Sequence, residues 1–294
     1  MTRQNTDTQM TRRGFTLLEL LIVVAVIALL VGVVFPAIRM VRKSAGLARE
    51  LSTARQLMLG YRSYAYDHRG VLMPGFYKVN GATLPAFDET GADMSGLGIR
   101  AATYVWRLAP YLDYNLKGLY VDEQILTSLN NNDQYRTYLI STFPAFGING
   151  VFVGGDTKIY AYDDNYLPLL GKFYVTRLSE VKHATQLIVF GSARINGQTA
   201  SAASPGATLV EGYFRLVPPA FTDRDWTANY DVDCPEPCLT VDFGNVSLRH
   251  GFREAAIGFF DGHTGTLNES TIQDMRHWSD QADRPDWVLQ PIIP

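Results

Sequence analysis

Residues 17–35 read LLELLIVVAVIALLVGVVF, and the only charged side chain in the run is Glu19. As a helix rising about 1.5 Å per residue, the run covers roughly 28 Å, close to the thickness of a bilayer's hydrocarbon core. Three readings compete for it. A cleaved secretory signal has a shorter apolar core followed by a small-residue cleavage site, whereas Pro36, Ala37, Ile38 and Arg39 follow here. A twin-arginine signal fits Arg12 and Arg13 superficially and needs the same downstream site. A plain membrane anchor explains everything except Glu19. A carboxylate in an apolar helix costs about 2–3 kcal/mol at the bilayer centre on insertion scales, and less near an end, so its presence points to a role.

The residues just before the run give Glu19 its context: Arg12, Arg13, Gly14, Phe15, Thr16, Leu17, Leu18, Glu19. A short basic leader ends in Gly, Phe follows, and a Glu four positions later opens the apolar helix. This pattern resembles the type IV prepilin signature shared by pilins and type II secretion pseudopilins. The resemblance implies a prepilin peptidase that cuts between Gly14 and Phe15 and N-methylates the new amine of Phe15. The apolar segment then stays on the mature protein, and Glu19 serves assembly with other pilin or pseudopilin subunits into a helical filament. The implied location is single-pass in the inner membrane, with the C-terminal part extracytoplasmic, and then a pilus or pseudopilus. Pro36 falls where helices of this family often kink, and it would remove a backbone donor there.

Beyond the apolar run, Ile38, Val41, Ala45, Ala48, Leu51, Ala54, Met58 and Tyr61 recur at helical spacing, marking one apolar face. Arg42, Lys43, Arg49, Glu50 and Arg55 fill other positions, and no strong breaker occurs before Asp67, His68, Arg69 and Gly70. The spacing predicts one helix from Phe15 to about Tyr66, apolar all round at first and amphipathic later. The expected organisation is a cleaved leader at 1–14, a transmembrane and neck helix at 15–67, and an α+β extracytoplasmic domain at 68–294.

After Gly70 the elements shorten. Residues 70–96 read as loop, 99–112 as a helix, and 121–129 as a short helix with Asp122 and Glu123 in its first turn. Runs rich in Val, Ile, Phe and Tyr predict strands at 143–153, 186–192, 208–217, 240–248, 255–260 and 264–268. The fold class is α+β: a long N-terminal helix packed on a mainly antiparallel sheet.

Arg249 and His250 precede Asp261 and Gly262 by ten intervening residues after His250. Asp-Gly between two apolar runs predicts a type I′ hairpin turn, with positive φ at both central positions. The segment resembles the C-terminal His-to-Asp-Gly motif of a large bacterial family of prepilin-like proteins, with one residue more than the usual spacing. His250, Asp261 and His263 could serve as an acid–base or metal set. The preferred reading is structural: Asp261 serves the turn and His250 ties the hairpin to the preceding loop. No nucleophile signature, phosphate loop or metalloprotease helix accompanies them, so the chain reads as a filament subunit and not an enzyme. An anchored binding or adhesion module, or a hydrolase exported on a prepilin leader, is the alternative.

Cys234 and Cys238, the only two cysteines, flank Pro235, Glu236 and Pro237. A disulfide in an oxidising compartment, two free thiols and half a zinc site are all open, the disulfide being the preferred reading. No cofactor is expected. The acidic stretches Asp163-Asp164-Asn165 and 223–233 leave room for calcium, as in some pseudopilins, although no EF-hand pattern is present. With 47% hydrophobic and 19% charged residues the chain is globular, and a net charge of −3 offers no general attraction to nucleic acid.

Overall fold

The computed structural model describes residues 17–128, 134–157, 166–196, 209–227, 230, 242–251 and 253–292. The chain divides into two compact units, Met1–Gly46 and Leu47–Pro294. The first described element, α1, is a single 51-residue helix, Leu17–Asp67. Its backbone is helical through Pro36.

Within the first unit, the helix exposes Leu and Val all round, as its unbroken apolar sequence requires. Within the second unit its character changes. Ala54, Leu57, Met58, Tyr61, Tyr64 and Ala65 are buried at steps of three and four, so one face enters the core. The expected apolar face is correct from Ala54 onward. Val41, Ala45 and Ala48 are exposed, and Glu50, read as an outward charge, is buried on the core face.

That face packs on the central antiparallel sheet. Two two-residue ladders lie outside it: β1 (Lys78–Val79) with β2 (Ala82–Thr83), and β5 (Ile195–Asn196) with β6 (Leu209–Val210). The sheet itself has four strands in the order β3-β4-β7-β8. These are β3 (Phe146–Ile148), β4 (Ile188–Ser192), β7 (Glu254–Phe259) and β8 (Thr264–Asn268). Both faces are covered. Val189, Phe190 and Ala256 join the cluster that contains Tyr61 and Trp106. Ile188, Ala255 and Ile257 join a second cluster with Trp226, Phe243 and Trp278. Burial on both faces is why β4 reads as a continuous apolar run rather than an alternating one. The helix approaches the sheet closely at Gly258, where a Cβ would lie 2.9 Å from Met58 Cγ.

Other expectations need correction. The helix expected at 99–112 is three pieces: α2 (Ile99–Ala102), α3 (Tyr104–Leu108) and a 3-10 turn at Ala109–Leu112. The break is at Thr103, whose extended backbone (φ −75°, ψ 162°) ends the first piece. Helix α4 spans Glu123–Ser128, inside the expected range. Helices α5 (Gln134–Thr142) and α6 (Tyr166–Leu170) were not anticipated, because neither carries a clear apolar stripe. The strand expected at 208–217 is regular only at Leu209 and Val210, although Arg215 bridges to Ile148. In place of a strand near 240–248 stands a 3-10 segment, Asp242–Asn245, with positive φ at Phe243, Gly244 and Asn245. β-rich composition predicted extension there, and packing of Phe243 against Trp226 and Tyr230 prevailed.

Candidate functional site

The apolar end of α1 is the first functional feature. Leu17 is 87% exposed and Phe35 61%, and the Leu, Ile and Val side chains between them are exposed on every side. This helix is long and apolar enough to cross a membrane. Glu19 sits in its first turn, so its carboxylate belongs to the end of the apolar run rather than the middle. Gly14 and Phe15 lie outside the described residues.

The second feature is a buried ionic cluster inside the globular unit. Glu50 projects from α1 into the core and is only 6% exposed. Arg249 grips it with two parallel bonds, Nε to Oε1 at 2.8 Å and Nη2 to Oε2 at 2.8 Å. Such a fork fixes direction as well as charge. Ser192 of β4 donates its hydroxyl to Glu50 Oε2 at 3.0 Å. His250 Nε2 lies 2.9 Å from the same oxygen, a contact without the alignment of a good hydrogen bond. Arg249 spends its remaining donors on Glu211 Oε2 and on the carbonyls of Ala193 and Ala145. Burial alone would raise the Glu50 carboxyl, but His250 and Arg249 outweigh it and hold the group down at about 2. Burial likewise works against the Arg249 charge, and Glu50 and Glu211 override it, raising Arg249 above its ordinary value. Helix, sheet and the loop before β7 therefore meet at one charged knot.

The Asp-Gly hairpin between β7 and β8 differs from the expected turn. Gly262 has φ +96° while Asp261 is not in the positive region, so the turn is not type I′. Gly262 N–H donates to Phe259 O at 2.8 Å and Phe259 N–H to His263 O at 3.0 Å. Three residues thus form the loop, the last a left-handed glycine, a connection that needs only one positive φ. Asp261 Oδ1 accepts from His263 N at 3.0 Å and contacts His263 Nδ1 at 2.6 Å.

His250 and Asp261 are not brought together. His250 pairs through its backbone with Glu254 and aims its ring at Glu50. Asp261 presents its carbonyl to Arg62 Nη1 at 2.7 Å. Both contacts fall on α1, at positions twelve residues and so roughly 18 Å apart along the helix. The two halves of the His-to-Asp-Gly segment hold one helix at two heights. Sequence reasoning missed Glu50, Ser192 and Glu211 in this arrangement. The available signal was that Glu50 extends the buried stripe of Ala54, Leu57 and Tyr61 by one more turn.

Cys234, Cys238, Asp163, Asp164, Asp231 and Asp233 fall outside the described residues. Among the described residues no group of three or more His, Cys, Asp or Glu could hold a metal ion. Asp225 has its carboxyl raised by burial and by the charge of Asp223.

Comparison with known proteins adds one match. No curated protein and no solved structure matches the chain. Residues 9–35 match the Prokaryotic N-terminal methylation motif. Across the end of its leader and the whole of its apolar run, the chain carries the N-terminal motif of a type IV pilin-like precursor.

Proposed function

We propose that this chain is a structural subunit, a pilin or pseudopilin, of a type IV pilus-like or type II secretion filament. The observation that carries the reading is the methylation motif at residues 9–35. The exposed apolar helix behind it supports the same conclusion, because so large an apolar surface needs lipid or other protein around it. The precursor is held in the inner membrane by residues 17–35, with the α+β unit outside the cytoplasm. Prepilin peptidase cuts between Gly14 and Phe15 and methylates Phe15, and the freed subunit joins other copies or related subunits through α1. The chain works as a building part rather than a catalyst.

Glu19 has a definite task in this reading. Once neighbouring helices exclude water, an uncompensated carboxylate would be costly, so a cation must come near. The methylated, still protonatable amine of Phe15 on an adjacent subunit supplies one. At about 4 Å and an effective dielectric near 20, the pair attracts by roughly 4 kcal/mol before desolvation is subtracted, which sets register more than net stability. Glu19→Gln keeps shape and removes charge. It is expected to leave cleavage and the C-terminal fold intact while sharply lowering the subunit's content in sheared filaments. Wild-type content would reject a role for Glu19 in assembly and favour an anchored binding module.

A further inference from the structure

In the globular unit, a cavity of about 430 Å³ lies beside the last turns of α1. Its walls are mostly apolar and aromatic. The ring of Tyr64 stacks on His68 at 3.9 Å and meets Tyr111 edge-on at 5.9 Å. Trp106, which also lines the cavity, is fixed by donating Nε1–H to Ser141 Oγ at 2.8 Å. Leu84 and the exposed Phe87 complete the rim.

Arg107 lines the same cavity and is 4% exposed. Its guanidinium is steered by three backbone carbonyls. Nη1 donates to Ala101 and Ala102, and Nη2 donates to Pro74 at 2.8 Å. Its Nε–H has no hydrogen-bond partner. Carbonyls satisfy donors without neutralising charge. The carboxylate that acts on its charge is Asp156, which is already bound at both oxygens by Arg215, 2.7 and 3.0 Å away. Burial pulls Arg107 down to about 10, which still leaves it a cation at neutral pH. A buried cation held in place without a carboxylate of its own is expensive unless something compensates it. A mostly apolar, aromatic cleft with one fixed charge at its wall is a common form of a small-ligand site.

We propose that this cavity binds a small organic carboxylate with an apolar or aromatic body, the ring lying among Tyr64, Trp106 and Tyr111 and the anion directed at Arg107. The volume suits a single-ring ligand, and the charge selects an acid over its neutral amide. This site is independent of the filament reading and holds whether or not the chain assembles.

The test uses the full mature chain in detergent. Phenylacetate, 3-phenylpropionate and 4-phenylbutyrate are each compared with their amides by saturation-transfer NMR and calorimetric titration. At least one acid is expected to bind with a Kd below about 1 mM, and about tenfold tighter than its amide. Leu84→Trp, which fills the rim and leaves Arg107 untouched, is expected to abolish binding without changing the circular dichroism spectrum, and it controls for partition into detergent. Arg107→Gln is expected to equalise acid and amide. If that variant does not fold, the Leu84→Trp comparison stands alone. Equal binding of acid and amide by the wild type, binding that survives Leu84→Trp, or no binding by any acid would each overturn the proposal.

Discussion

Glu50 shows how a single side chain can be misread from its own neighbourhood. Flanked by Arg49 and Leu51 on a helix with several basic residues, it reads as a solvated charge. Its fate is decided 199 residues later by Arg249, whose fork closes on it inside the core. No local pattern carries that information, since the pairing exists only after the sheet has formed. A consequence for pH follows. The folded carboxyl titrates near 2 against an ordinary 4.5, so its contribution is complete at neutral pH and is lost as pH falls from 4.5 towards 2. A depression of this size corresponds to about 3 kcal/mol. Urea unfolding of wild type and Glu50→Gln is therefore expected to differ by a few kcal/mol at pH 7 and to converge near pH 2. A difference that stays constant across this range would show that the ionised carboxylate is not what stabilises the knot.

At the scale of elements, α1 and β7 pack closely at Gly258. The absent side chain at Gly258 lets the strand approach Met58 and the Ala54 carbonyl, which would sit 2.9 and 3.5 Å from a Cβ. Gly258→Val overpacks this joint and is expected to destabilise the globular unit by about 1–3 kcal/mol, read as a lowered midpoint in thermal unfolding. An unchanged midpoint would mean that helix and strand are free to separate there. Elements differed in how far the sequence disclosed them. The long helix was legible because apolar spacing and the lack of a breaker agree over fifty residues, and strands β7 and β8 because Asp261 and Gly262 mark the bend between them. The pieces at 99–112 were not legible as pieces: Thr103 breaks the helix through tertiary bonds such as Tyr77 N–H to Ala102 O at 2.9 Å. Val, Leu and Phe near 240–248 promised a strand, yet side-chain packing of Phe243 set the backbone instead. The Asp-Gly pair located the hairpin correctly and misjudged its turn, because a left-handed Gly262 alone suffices for a three-residue loop.

Across the whole molecule, the functional reading rests on the contrast between two stretches of one helix. Residues from Leu47 onward put their apolar face into a core built by the rest of the chain. Residues 17–35 present apolar side chains on all sides, and such a surface is stable only in lipid or against other chains. Residues 9–35 match the N-terminal methylation motif, and in the function we propose the leader is trimmed, the new terminus is methylated, and the apolar helix leaves the bilayer for a filament. The residues to which the proposal gives these roles, Gly14, Phe15 and Glu19, are assigned from the sequence alone, because the chemistry proposed for them depends on order along the chain rather than on folding. Intact-mass and N-terminal peptide spectrometry of the protein taken from cells with active prepilin peptidase tests the claim most directly. The expected species lacks residues 1–14 and begins with N-methylated Phe15. A chain that retains Met1, or one cut beyond the apolar run so that residues 17–35 are lost, would contradict it.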